Sequence, residues 1–267
     1  MTMTFFLHES IQPNAPLDLI ERGAADRRPR TRLTGEFPLL REKLRVPKLC
    51  RVLERERPRV MLEKSMAQFP ATLLSGRAGT GKTVLAADLA SRVAKVAWYT
   101  VQTADLDWLI FSRYLSQCLE NAGSGASGPL PERVGGSSQP EIAGFLARHF
   151  LKAERPRPEK TLIVLDDAHH IFDVPWFEEF FKLLLYSLPV NAHLLMLCRS
   201  KPPSPLWRLR SKQVLNVIEE DQLAFTPTET AELFQMLNCT LDPDSACEEA
   251  FGRAGRLVEF ASTGSDT

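Results

Sequence analysis

The stretch Gly76-Arg77-Ala78-Gly79-Thr80-Gly81-Lys82-Thr83 satisfies the pattern G-x-x-x-x-G-K-[ST] at every fixed position. The apolar run Ala71-Thr72-Leu73-Leu74 precedes it, and Val84-Leu85-Ala86-Ala87-Asp88-Leu89-Ala90 follows as the helix the pattern requires. A strand feeding a glycine-rich turn that opens a helix directs successive backbone N–H groups at phosphate oxygens. The residues expected around the phosphates are Gly76, Ala78, Gly79, Thr80, Gly81, Lys82, Thr83 and Val84. Lys82 is placed to reach the β- and γ-phosphates, and the Thr83 hydroxyl to take a position on Mg²⁺.

Further apolar runs at 96–100, 161–165, 193–198 and 214–218 read as strands. Helical patterns at 105–120, 141–154 and 175–187 separate them, and 60–68 reads as a short helix ahead of the first strand. Strands alternating with helices predict an α/β fold, a P-loop three-layer α/β/α arrangement with a five-stranded, mainly parallel sheet. Residues 1–38 are expected to form a loosely ordered extension, and 39–220 the core with a flexible Gly/Ser/Pro-rich insert at 121–140. A small helical region is expected over 221–260, opening with the capping box Thr226-Pro227-Thr228-Glu229 and continuing as a helix over 244–260. Residues 261–267 are expected to fray.

The run Thr161-Leu162-Ile163-Val164-Leu165 ends in Asp166-Asp167, the expected second half of the phosphate site. Asp166 is assigned to the Mg²⁺ shell together with Thr83. Asp167 either polarises an attacking water or orients the metal shell, Asp being shorter than the Glu often used as a base. Arg199 closes the fourth strand; its position suits equally a contact with a γ-phosphate and an ordinary surface arginine. His169 is assigned a local hydrogen bond, with Asp167 as its partner, rather than metal or catalytic work. Arg208 and Arg210 flank Leu209 in what reads as a basic surface loop.

Basic side chains are dense over 39–64, yet Glu42, Glu54, Glu56 and Glu63 are interleaved among them, and Pro47 and Pro58 break any long recognition helix. That composition predicts a solvated surface. Over the whole chain 33 Lys and Arg balance 33 Asp and Glu, so net charge supplies no argument for nucleic acid or an anionic membrane. The five cysteines are scattered without a C-x-x-C, which predicts a reducing, cytoplasmic setting and no thiolate metal site. No stretch reaches the roughly 18 apolar residues of a membrane span, and the first residues lack the pattern of a signal peptide.

With these residues in place, the chain resembles the N-terminal nucleotide-binding module of large ATP-dependent bacterial transcription activators typified by the maltose-regulon activator. These belong to the signal-transduction ATPases with numerous domains, a branch related to AAA+ proteins. The resemblance runs through Arg41-Glu42-Lys43-Leu44-Arg45-Val46-Pro47, the glycine loop, Trp98-Tyr99-Thr100-Val101 with Asp105 and Asp107, and Leu162 to His169. It continues through Leu195 to Arg210 and through Leu223-Ala224-Phe225-Thr226 to Leu233-Phe234. The resemblance implies that Arg199 is a sensor of the γ-phosphate and that Arg57 lies near the nucleotide. The phrase "SGWPxAL" that follows in the family is blurred here into Phe251-Gly252-Arg253-Ala254-Gly255-Arg256-Leu257.

Together these readings imply a Mg-ATP-binding regulatory switch with slow hydrolysis to ADP, in which Lys82, Asp167 and Arg199 serve the reaction. Its partners are ATP and either a second copy of the chain or a regulatory protein; direct sequence-specific DNA binding is not expected, since no helix-turn-helix or basic recognition helix is visible. A scaffold that binds nucleotide with little or no turnover is the alternative. A small-molecule kinase fits less well, because nothing between 100 and 160 resembles an arginine-rich lid.

Overall fold

Each apolar run becomes a strand: β1 (Ala71–Ser75), β2 (Lys95–Thr100), β3 (Thr161–Asp166), β4 (Ala192–Cys198) and β5 (Leu215–Ile218). The structure is a computed structural model that describes residues 38–123, 160–201 and 203–263, all but Pro38 within the unit Leu39–Thr267. Nearly all of the expected N-terminal extension, most of the 121–140 insert and the helix expected over 141–154 lie outside the described residues. The strands are ordered β2-β3-β4-β1-β5, and every pairing is parallel.

Alternation along the strands divides the apolar side chains between two faces. Leu74, Trp98, Leu162, Val164, Leu195 and Leu197 meet Leu62 of α1 (Glu56–Gln68) and Leu85, Ala86 and Leu89 of α2 (Lys82–Ala90). Tyr99, next to Trp98, turns the other way and packs its ring against Phe111 and Tyr114 of α3 (Trp108–Asn121), at 5.6 and 5.4 Å between centroids. Phe111 in turn meets Phe180 of α4 (Phe177–Ser187) edge-on at 5.8 Å. Helices therefore cover both faces, and the three-layer α/β/α fold is as expected.

Helix boundaries follow caps more closely than apolar spacing. Asp107 accepts from the N–H groups of Leu109 and Ile110 at 2.8 and 3.4 Å, so α3 opens at Trp108 rather than 105. Leu106, expected on its inner face, is exposed. Helix α1 opens at Glu56, ahead of the expected 60, because Pro58 occupies its first turn, where the missing N–H has no intrahelical partner to lose. The basic loop expected around Arg208 is a helix, α5 (Ser204–Ser211), with Leu206 and Leu209 buried on one side. Arg210 lies over the Trp207 ring at 5.1 Å and within 3.5 Å of Glu219.

Over 39–64 most charged side chains, Arg41, Arg45, Lys48, Arg51 and Arg57 among them, are exposed as expected, and Lys43 is the buried exception. Lys43 is 5% exposed, and its ammonium donates to both oxygens of Asp105, itself 1% exposed, at 2.7 and 2.9 Å. The ammonium also lies 4.6 Å from the centre of the Tyr114 ring. Asp105 additionally accepts from the Gln102 N–H at 2.9 Å, closing the 3-10 turn Thr103–Asp105 before α3. A buried ion pair thus fastens the chain ahead of the core to the region between β2 and α3.

After β5 the chain forms α6 (Glu220–Leu223), α7 (Pro227–Leu237), α8 (Pro243–Ala250) and α9 (Ala254–Thr263). The expected capping box opens α7, with Thr226 accepting from the Glu229 N–H and Glu229 from the Thr226 N–H. Phe225, Leu233, Phe234, Ala246, Ala250, Leu257 and Ala261 form a separate apolar cluster. The single helix expected over 244–260 is two helices, broken where Phe251 and Gly252 take left-handed backbone angles. Helix α9 runs through Thr263, so residues 261–263 are helical rather than frayed.

Candidate functional site

In the sheet order β3, β4 and β1 are consecutive neighbours, so their carboxyl ends stand side by side. The glycine loop leaves β1, Arg199 leaves β4, and Asp166 and Asp167 close β3. Beyond the carboxyl ends of a parallel sheet is where such folds bind ligands. Gly79 and Gly81 have φ of +80° and +87°, angles that L-residues rarely adopt, and they turn the chain into α2.

Lys82 is buried and folds back over its own loop, its ammonium donating to the carbonyls of Gly76 and Arg77 at 2.5 and 2.8 Å and to Thr80 Oγ1 at 3.0 Å. Burial holds its pKa below the usual lysine value. The Thr83 hydroxyl donates to both carboxylate oxygens of Asp166, at 3.3 and 3.2 Å. Asp166 is 6% exposed, and burial, then the charge of Asp167, pushes its pKa up to about 6. A hydroxyl and one carboxylate are hard oxygen donors of the kind Mg²⁺ takes alongside phosphate and water. Among the described residues no group of three or more His, Cys, Asp and Glu is arranged to hold a metal by protein ligands alone. The donor set therefore fits a metal that is held jointly with a nucleotide.

Asp167 has φ +53°, an unusual backbone for this residue, and its carboxylate is clasped by Arg199. Arg199 Nε and Nη2 each donate to one oxygen at 2.9 Å. His169 stands beside Asp167 as expected but does not make the expected hydrogen bond: its Nδ1 is 3.8 Å from Asp167 Oδ1 and has no hydrogen-bond partner among the described residues. Burial and the neighbouring His170 keep its pKa below the usual histidine value. Val84 is partly exposed on the first turn of α2.

Arg57, expected beside the nucleotide, spends its guanidinium elsewhere. It donates to the carbonyls of Gln222 and Ala224 and reaches Glu229 at 3.3 Å. Arg55 binds the carbonyls of Leu223 and Ala224 and the Glu229 carboxylate at 2.9, 3.0 and 2.8 Å. The two arginines brace the start of α1 against the entry to the helical region. Sequence reasoning also missed three residues that touch the glycine loop. Glu220 accepts from the Arg77 backbone N–H and side chain at 2.9 Å, while Arg253 and Gly255 donate to loop carbonyls. The blurred phrase around Gly252 and Gly255 is the one sequence signal that could have flagged the last two.

Loop, lysine, threonine and strand-end acid at the carboxyl edge of a parallel sheet define a P-loop nucleotide-binding domain. The chain matches the AAA ATPase domain family over residues 49–197, and it belongs to that family. Among curated proteins it is similar to the HTH-type transcriptional regulator MalT of Cronobacter sakazakii, 27% identical over 211 residues, 77% of this chain and 23% of that protein. The MalT of Vibrio cholerae is 28% identical over 179 residues, 67% of this chain and 20% of that protein. The chain therefore spans less than a quarter of the length of these relatives. Its fold is similar to that of a signal transduction ATPase with numerous domains from Pyrococcus horikoshii, which carries a tetratricopeptide repeat sensor. The TM-score is 0.56 at 19% identity, over 85% of this chain and 32% of that one. The chain is thus an AAA ATPase domain similar to part of MalT. Among the described residues no helix is long and apolar enough to cross a membrane.

Proposed function

We propose that this chain is a Mg-ATP-binding switch of bacterial transcription regulation or signalling, which hydrolyses ATP slowly and acts through conformational change or self-association in the cytoplasm. The observation that carries the reading is the hydrogen bond from Thr83 to Asp166, which joins the phosphate loop to the strand-end acid. Thr83 and Asp166 would hold Mg²⁺, which when bound neutralises charge on the phosphate oxygens. Backbone N–H groups of the loop orient the phosphates, and Lys82 exchanges its loop carbonyls for β- and γ-phosphate oxygens. Water attacks the γ-phosphorus in line, the bond to the β-phosphate oxygen breaks, and Asp167 receives the proton of the attacking water.

For that step Asp167 must first be released by Arg199. The Arg199 side chain is 51% exposed, and such a pair is worth about 0–1 kcal/mol, little enough for a γ-phosphate to draw the guanidinium away. Arg199 then stabilises charge on the transferred group, so the arrival of ATP both occupies the sensor and frees the base. The same clasp supports the second reading, a nucleotide-binding scaffold: a base held by its own sensor and set on an αL backbone turns over slowly or not at all.

The test is nucleotide binding and phosphate release by the 267-residue chain with Mg²⁺, beside Lys82→Ala, Asp167→Ala and Arg199→Ala, with molecular mass followed throughout. The switch predicts tight ATP binding, turnover lost in all three variants, and a mass or shape change with ATP that Arg199→Ala lacks. Binding lost only in Lys82→Ala, with no turnover by the parent and no change of mass, would replace the switch by the scaffold.

A further inference from the structure

The turn between α8 and α9 is seated on the glycine loop. Arg253 Nη2 donates to the Ala78 carbonyl at 2.7 Å, and the Gly255 N–H donates to the Gly79 carbonyl, also at 2.7 Å. A β-carbon on Gly255 would stand 3.2 Å from Gly79 Cα, so the two backbones are in contact. The far side of the turn is fixed as well, the Gly252 carbonyl accepting from the Phe225 N–H at 2.8 Å.

The two carbonyls matter because of what shares their peptide groups. The Ala78 carbonyl and the Gly79 N–H belong to one planar unit, and the Gly79 carbonyl and the Thr80 N–H belong to the next. A donor on the carbonyl side of a peptide polarises the unit and strengthens its N–H as a donor. Arg253 supplies a formal charge to the first unit, and charge-assisted hydrogen bonds are about twice as strong as neutral ones. Its Nε is enclosed without a hydrogen-bond partner among the described residues, and the guanidinium lies near enough to Glu220 to lower that carboxyl's pKa. Glu220 holds the other flank of the loop through Arg77.

We propose that Arg253 is a positioning residue for phosphate binding: from the helical region it orients and polarises the Gly79 N–H donor, as the neighbouring Gly255 N–H does for that of Thr80. Anion affinity then depends on the docking of the α8–α9 turn. By reciprocity, bound phosphate tightens that docking by the same factor, which carries occupancy of the loop directly to the helical region. The inference rests on the nucleotide reading of the loop.

The experiment measures ADP affinity of the full chain beside Arg253→Ala, Arg253→Gln, Arg253→Lys and Lys82→Ala, with adenosine as competitor and thermal melting without nucleotide. Arg253→Ala is expected to weaken ADP about tenfold, Arg253→Lys to restore most of the loss, and Arg253→Gln to restore less, with adenosine affinity unchanged. An Arg253→Ala protein that melts like the parent and binds ADP equally well overturns the proposal. So does an equal loss for adenosine and ADP, which would mark a merely structural contact. If the alanine variant does not fold, the order lysine above glutamine, seen for ADP and absent for adenosine, decides instead. Normal Arg253 variants beside a defective Lys82→Ala would remove this inference alone; a parent that binds no ADP would remove the nucleotide reading with it.

Discussion

Replacing Lys43 by methionine tests whether a charged residue in a mixed, apparently solvated segment helps to hold the fold. The substitution keeps most of the apolar stem and removes the ammonium, leaving the almost fully enclosed Asp105 without its countercharge, though still bonded by the Gln102 N–H. Breaking a buried pair from one side is destabilising by about 3–5 kcal/mol, because the remaining charge is stranded in low dielectric. The ammonium's approach to the Tyr114 ring is lost as well. For a unit of this size each kcal/mol lowers the melting temperature by about 2–4 °C, so a fall of around 10 °C is expected. Urea unfolding of Lys43→Met, Asp105→Leu and the double variant closes a thermodynamic cycle. The double variant should recover much of either single loss, since no charge is then stranded. The loss should persist at high salt, which screens exposed pairs far more than enclosed ones. A loss below about 1 kcal/mol, or one that vanishes in molar salt, would show an ordinary surface pair and refute the reasoning.

Two further outcomes follow from the geometry. Gly252 has φ +63°, and a β-carbon there would meet the Phe225 carbonyl oxygen at 2.7 Å. Gly252→Ala should therefore cost about 2–3 kcal/mol by urea unfolding, and an unchanged midpoint would mean the turn relaxes freely. His193 donates from Nδ1 to the Phe69 carbonyl and pairs through Nε2 with the Thr72 hydroxyl, and burial holds its pKa down to about 4 from 6.5. The folded state thus binds this proton less readily than the unfolded one, so stability is full above pH 6.5 and declines as pH falls towards 4. The decline attributable to this group is about 3 kcal/mol, and His193→Gln should remove that slope; a variant with the parent's pH profile would assign the slope elsewhere.

The parallel α/β/α architecture and the core of the candidate phosphate site were legible because their signals are short in sequence. Five apolar runs announced five strands, and the G-x-x-x-x-G-K-T pattern carried its own turn, helix start and lysine. Asp166-Asp167 at the end of such a run was likewise readable, and the sheet order then set it beside the loop. The misplaced helix ends, at Trp108 and Glu56, came from weighting apolar spacing above the cap at Asp107 and the tolerance of Pro58 in a first turn.

Contacts that charged side chains make far along the chain left no such mark. Lys43 and Asp105 are separated by 62 positions, Arg57 and Ala224 by 167, and Arg253 and Ala78 by 175. Each of these residues sits in a segment whose local composition suits water equally well. A guanidinium has five donors and a long stem, so its sequence neighbours do not say which carbonyl or carboxylate it will meet. Periodicity reports which side of an element is buried, since that depends on spacing within a few residues. The partner of a buried charge depends on which elements the completed sheet brings together, and only packing of the whole chain supplies that.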